Sequence, residues 1–195
     1  LSRPLPASAG EGTLAARIGI PDGVALDFAR RKLTVRGAAS QEWIASLGAA
    51  VERLPQVRER DFSALVATER MLFDGLVARM DVLDIPFSDE TEPAAAARGE
   101  LDGAVVGVRR GLELATLLGR TLQVRTLGLT DEVGTEAYNR DLRERRARWL
   151  ADALQRQVPG LVVEAYTPDP AVDPRAAQKR RAARVLLSLR EAATP

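Results

Sequence analysis

The segment Gly128–Leu154, GLTDEVGTEAYNRDLRERRARWLADAL, decides the reading of this chain. Leu122 to Gly128 alternates as a strand, and Glu136 to about Gln157 has the length and polarity of a surface helix stopped by Pro159-Gly160. Asn139 and Arg146 are seven residues apart, so they share one helix face about two turns apart. Asp131 lies in the loop that feeds the helix N-terminus, where backbone N–H groups are free to meet an anion. A carboxylate, an amide and a guanidinium around one cleft can hold a zwitterion. The carboxylate takes an ammonium, and the guanidinium takes a carboxylate in a bidentate grip.

Working outward, Met80 to Phe87 reads as a strand ended by Ser88-Asp89-Glu90, and Pro93 suits the first turn of the next helix. Leu101, Val105, Val108, Leu112 and Ala115 form that helix's apolar stripe. The same helix holds several glycines, which only close packing against a sheet would compensate. Leu161–Ala165 is a strand, Thr167–Pro174 is a Pro-rich loop, and Val185, Leu187 and Leu189 alternate in a last strand. The order is β-α-β-α-β-β, an α/β chain folded as an α+β sandwich with helices on one face of a sheet.

Upstream, Val24–Phe28 and Lys32–Arg36 alternate as two strands, with Gly37 ending the second. Ser40 is placed as an N-cap, with Glu42 in the first turn. Ile44, Leu47, Val51 and Leu54 make one helix face, Pro55 stops it, and Val57–Leu65 is extended again. Trp43 and Phe28 are assigned to the core or an interface. The expected organisation is a Pro/Gly/Ser-rich flexible leader over 1–13, a β-β-α-β unit over 14–66, a helical connector over 67–82 bearing Leu72, Leu76 and Met80 on one side, and the larger unit over 83–195. The opening Leu1-Ser2-Arg3-Pro4 reads as an internal boundary of a longer protein.

Composition narrows the chemistry. The 195 residues include no Cys and no His, which removes thiol nucleophiles, the usual zinc ligand sets and the commonest general base. No Gly-rich phosphate loop and no partnered pair of acidic residues is found, so no catalytic residue, metal or cofactor is assigned and an enzyme is not expected. Net charge is +1 and aromatics are 4%, which argues against nucleic acid as the target of the Arg-rich helix 140–148. Lys179-Arg180-Arg181 is expected as an exposed loop, and Trp149 as a packing residue.

The turn Gly128-Leu129-Thr130-Asp131-Glu132-Val133-Gly134, followed by Asn139 and by Arg146-Ala147, resembles the OmpA-like peptidoglycan-binding domain family, whose Gly-His-Thr-Asp-x-x-Gly turn, Asn and Arg-Ala pair stand at the same spacing. The upstream text PDGVALDF…KLTVRGAAS…WIASLGAAVERLPQVRERDFSAL resembles a BON domain over about 50 residues. The resemblance implies a non-catalytic cell-envelope protein, periplasmic and associated with the outer membrane, that binds the diaminopimelate of the peptidoglycan stem peptide. It implies that Asp131 pairs with the ligand's amino group and Arg146 with its carboxylate, that Asn139 bonds the peptide, and that Thr130 and Arg184 complete the binding set. The N-terminal unit would bind lipid, itself or other envelope proteins. Four positions depart from the pattern. Leu129 replaces the family's His, Ala182 and Ala183 replace an Asn and an Arg, and Arg143 replaces a common Ser. These departures support the alternative of a degenerate domain used for protein contacts.

Overall fold

The structure is a computed structural model that describes residues 19–88, 91–95, 97–131, 133–169 and 171–192. The leader 1–13, the first residues of the expected 14–66 unit and the acidic pair Asp89-Glu90 lie outside these residues. The chain divides into two compact units, with the boundary between Leu72 and Phe73.

The first unit holds strands β1 (Ala25–Ala29) and β2 (Lys32–Ala39), helix α1 (Gln41–Glu52) and strand β3 (Glu59–Ala67). β2 is central, antiparallel to β1 and parallel to β3, with α1 as the crossover. Ser40 caps α1, its hydroxyl accepting from the Trp43 N–H at 3.2 Å. Leu33, Val35, Leu47, Val51 and Leu54 form the core, and Phe28 and Trp43 pack at its margin. Gly37 does not end β2; the strand continues to Ala39. Its φ of +120° lets the strand pass close over Gly23, where a Cβ would stand 2.2 Å from the Gly23 carbonyl oxygen.

Helix α2 (Thr68–Met80) crosses the boundary. Phe73, Leu76 and Met80 enter the core of the second unit, whereas Leu72 is exposed. Then follow β4 (Asp84–Pro86), α3 (Ala97–Leu117), β5 (Arg120–Leu129), α4 (Glu136–Gln157), β6 (Val163–Tyr166) and β7 (Ala182–Glu191). The sheet order is β4-β7-β5-β6; β7 is antiparallel to both its neighbours, and β5 is parallel to β6. This is the expected β-α-β-α-β-β order.

Three local expectations need correction. Met80–Phe87 is not one strand: Met80 closes a helix, and only Asp84–Pro86 pairs. Pro93 is not in the first turn of α3; it forms an isolated bridge with Phe87, and the helix starts at Ala97. Leu112 lies at the edge of the α3 stripe and is exposed, while Ala104, Gly107, Gly111 and Leu114 are buried.

The second core runs from α2 through α3 and α4 to the sheet, with Val108, Leu114, Val124, Leu150, Leu154, Val185 and Leu187 at its centre. The α3 glycines explain themselves here. A Cβ at Gly107 would meet Met80 Sδ at 2.4 Å, and one at Gly111 would meet Leu122 Cδ2 at 3.2 Å. Each glycine costs a helix about 1 kcal/mol relative to Ala, which the close packing offsets. On the other face of the sheet, Leu127, Leu129 and Leu186 are covered by Ala176 and Tyr166. Among the described residues no helix is long and apolar enough to cross a membrane.

Candidate functional site

Gly128 sets the geometry at the end of β5. A Cβ there would stand 1.9 Å from the Arg143 carbonyl oxygen, so only glycine lets the α4 backbone lie this close to the strand. Two residues earlier, Thr126 is fully buried and donates its hydroxyl to the Ala147 carbonyl at 2.8 Å. Strand and helix are thereby clamped, and Gly134 comes close to Tyr138 in the first turn of α4. Thr135 caps α4, accepting from the Tyr138 N–H.

The turn and the helix border a cleft of about 480 Å³ lined by Thr130, Asp131, Gly134, Glu136, Asn139 and Arg143. Its far wall is Ala176–Lys179. That wall is fixed by a hydrogen bond from the Arg180 N–H to the Thr130 carbonyl, and by Asp173, which accepts from the Arg175 N–H at 3.0 Å and from Arg175 Nη2 at 2.7 Å.

The structure brings Thr130, Asp131 and Asn139 together. Asp131 is partly exposed and pairs with Arg181 Nε at 2.6 Å. That hydrogen bond holds its carboxyl below the ordinary carboxylate value, against the opposing effect of desolvation. Thr130 and Asn139 are each 6% exposed, and Asn139 Oδ1 is buried with no hydrogen-bond partner among the described residues.

Arg146 does not face the cleft. It is 1% exposed, it donates from Nη1 to the Leu129 carbonyl at 2.6 Å, and its guanidinium lies 5.1 Å from the centre of the Phe87 ring. Burial lowers its pKa from the ordinary guanidinium value, with the nearby Asp131 charge opposing. Arg184 is also elsewhere. It is 2% exposed and grips Asp84 from Nε at 2.8 Å and Nη2 at 2.5 Å, joining β7 to β4. Arg180 takes the other oxygen of Asp84 at 2.7 Å. The sequence thus proposed an open pair of Asp131 and Arg146; the structure has the carboxylate at the cleft and the guanidinium beneath it, because Phe87 and the end of β5 already solvate that cation.

A guanidinium that does line the cleft is that of Arg143, which stands where the family has a common Ser. Arg143 is 6% exposed, with Nη2 at 2.5 Å from Glu136 Oε1 and Nη1 at 3.5 Å from Thr130 Oγ1. Its spacing gave the signal: it follows Asn139 by four residues and so shares the face. Trp149 packs edge-on against Phe87 at 5.3 Å rather than offering a free ring. Among the described residues no group of three or more acidic side chains is placed to hold a metal.

No family model matches the chain. No curated protein matches it. Among solved structures it is similar to the cell wall anchor of the T6SS from Pseudomonas aeruginosa, at 18% identity and a TM-score of 0.36, over 62% of this chain and 96% of that one.

Proposed function

We propose that the second unit is a non-catalytic module of the cell envelope that binds peptidoglycan non-covalently at the cleft between the Thr130–Gly134 turn and α4. The observation that carries this reading is the buried, unpartnered Asn139 Oδ1 beside the Asp131 carboxylate in one opening. A buried acceptor left without a partner is costly, and a ligand N–H relieves it. The ammonium of a diaminopimelate side arm suits Asp131, whose present partner Arg181 is half exposed and held by a surface pair of the kind that exchanges readily. A periplasmic, outer-membrane-associated location belongs to the same reading, with the first unit contacting lipid or other envelope proteins.

A second reading is favoured by a specific observation. Arg146 is enclosed and Asp131 is already paired, as in a domain that keeps the fold and uses its surface for protein contacts. Co-sedimentation with purified peptidoglycan separates the two. Wild type should pellet with the polymer, and Asp131→Ala and Asn139→Ala should each weaken binding about tenfold or more. Wild type left in the supernatant would overturn the first reading.

A further inference from the structure

We propose that Arg143, not Arg146, is the guanidinium that receives the ligand's carboxylate in this chain; this inference rests on the wall-binding reading above. Arg143 and Asn139 stand one helical turn apart and line the same cleft. Arg143 Nε is buried without a hydrogen-bond partner among the described residues, and so is Asn139 Oδ1. Two residues that line one opening therefore hold an unsatisfied donor and an unsatisfied acceptor just beneath its surface. The ligand that answers both presents an acceptor and an N–H donor close together, as the carboxylate and ammonium on a single amino-acid carbon do. Charge agrees: the cleft lining holds two carboxylates, Asp131 and Glu136, and two cations, Arg143 and Lys179, a balance suited to a zwitterion rather than to a simple anion. Arg146 has its guanidinium engaged by the Leu129 carbonyl and the Phe87 ring below, which makes it a positioning residue for the turn.

Glu136 supplies the discriminating experiment. Its carboxylate is mostly exposed and holds Arg143 Nη2, so it competes with any incoming carboxylate for that cation. Binding would be measured by sedimentation with purified peptidoglycan and by calorimetry with meso-diaminopimelate. Arg143→Ser should lower affinity about tenfold or more, Arg143→Lys should lower it less, and Glu136→Gln should raise it a few-fold. If Arg143 only fills space beneath the cleft, Arg143→Ser leaves binding unchanged or stronger and Glu136→Gln has no effect; either result overturns the inference. Should Arg143→Ser lose its near-ultraviolet circular dichroism, Glu136→Gln alone decides. Wild type that fails to sediment overturns the wall-binding reading and this inference together, whereas wild type that sediments with Arg143→Ser unimpaired overturns the inference alone.

Discussion

Arg146 donates to the carbonyl of Leu129 at the point where β5 ends and the cleft turn begins. The bond fixes where the turn leaves the sheet, and so fixes Thr130 and Asp131 above α4. Removing the side chain would leave a buried carbonyl without a partner and a void under Phe87. Arg146→Ala is therefore expected to destabilise the second unit by about 3 kcal/mol, and Arg146→Lys by less. Asp131→Ala, which removes a partly exposed pair with Arg181 and a favourable charge near Arg146, should cost less, about 1 kcal/mol. Urea unfolding of the three variants tests the ordering, and equal midpoints for Arg146→Ala and Asp131→Ala would contradict it.

Gly128→Ala should be far worse than Gly107→Ala, although both add one methyl group. At Gly128 the new atom meets the backbone of Arg143, which cannot yield without moving α4 off the strand. At Gly107 it meets the end of the flexible Met80 side chain, which can swing aside. The expected costs are more than about 3 kcal/mol and about 1–2 kcal/mol respectively. Thermal unfolding followed by far-ultraviolet circular dichroism reports both. A Gly128→Ala protein as stable as Gly107→Ala would show that the strand and helix are not in close contact.

Gly37→Ala tests the first unit alone. The substitution adds the strain of a positive φ and a clash with the Gly23 carbonyl, so a loss of more than about 2 kcal/mol is expected. The chain has two tryptophans, Trp43 and Trp149, one in each unit. In a Trp149→Phe background, the fluorescence of Trp43 should show an early unfolding transition for Gly37→Ala. An unshifted Trp43 transition would mean that β2 does not pass so closely over Gly23.

The contrast between what the sequence revealed and what it hid has a physical pattern. Helix α4 was legible because its polar stretch is long and Pro159-Gly160 stops it. The six-element order of the second unit was legible for similar reasons of period and punctuation. The β4 region was misread because Met80, Val82, Leu83 and Ile85 are apolar in both helix and strand, and only tertiary pairing with Ala182–Arg184 decides where the strand lies. The site was half legible. Spacing along α4 puts Asn139 and Arg146 on one face, but the depth of each side chain depends on Phe87 and on the 173–181 loop, both distant in sequence. Depth is what moved Arg146 beneath the cleft and left Arg143 at its wall. Arg184 was likewise read as a ligand contact, while its partner Asp84 lies a hundred residues away.

The acid limb of stability should be set in part by Asp173, which anchors the loop that walls the cleft. Its carboxylate is nearly buried and accepts from the side chain and the backbone N–H of Arg175, which holds its pKa below the ordinary carboxylate value against the effect of burial. A carboxyl whose folded pKa is depressed stabilises the fold above its unfolded pKa of about 3.9, and that contribution is lost as pH falls from there through the folded value. Wild type should thus lose stability steeply below about pH 4. Asp173→Asn should be less stable at neutral pH and should show a shallower decline in acid, since an amide has no proton to gain. Urea midpoints at neutral pH, near pH 4 and near pH 3 give the comparison. Parallel curves for the two proteins would show that the Asp173–Arg175 contact does not hold the loop. Because Ala176–Lys179 form one wall of the cleft, peptidoglycan binding by wild type should weaken over the same acid range in which the loop loses its anchor.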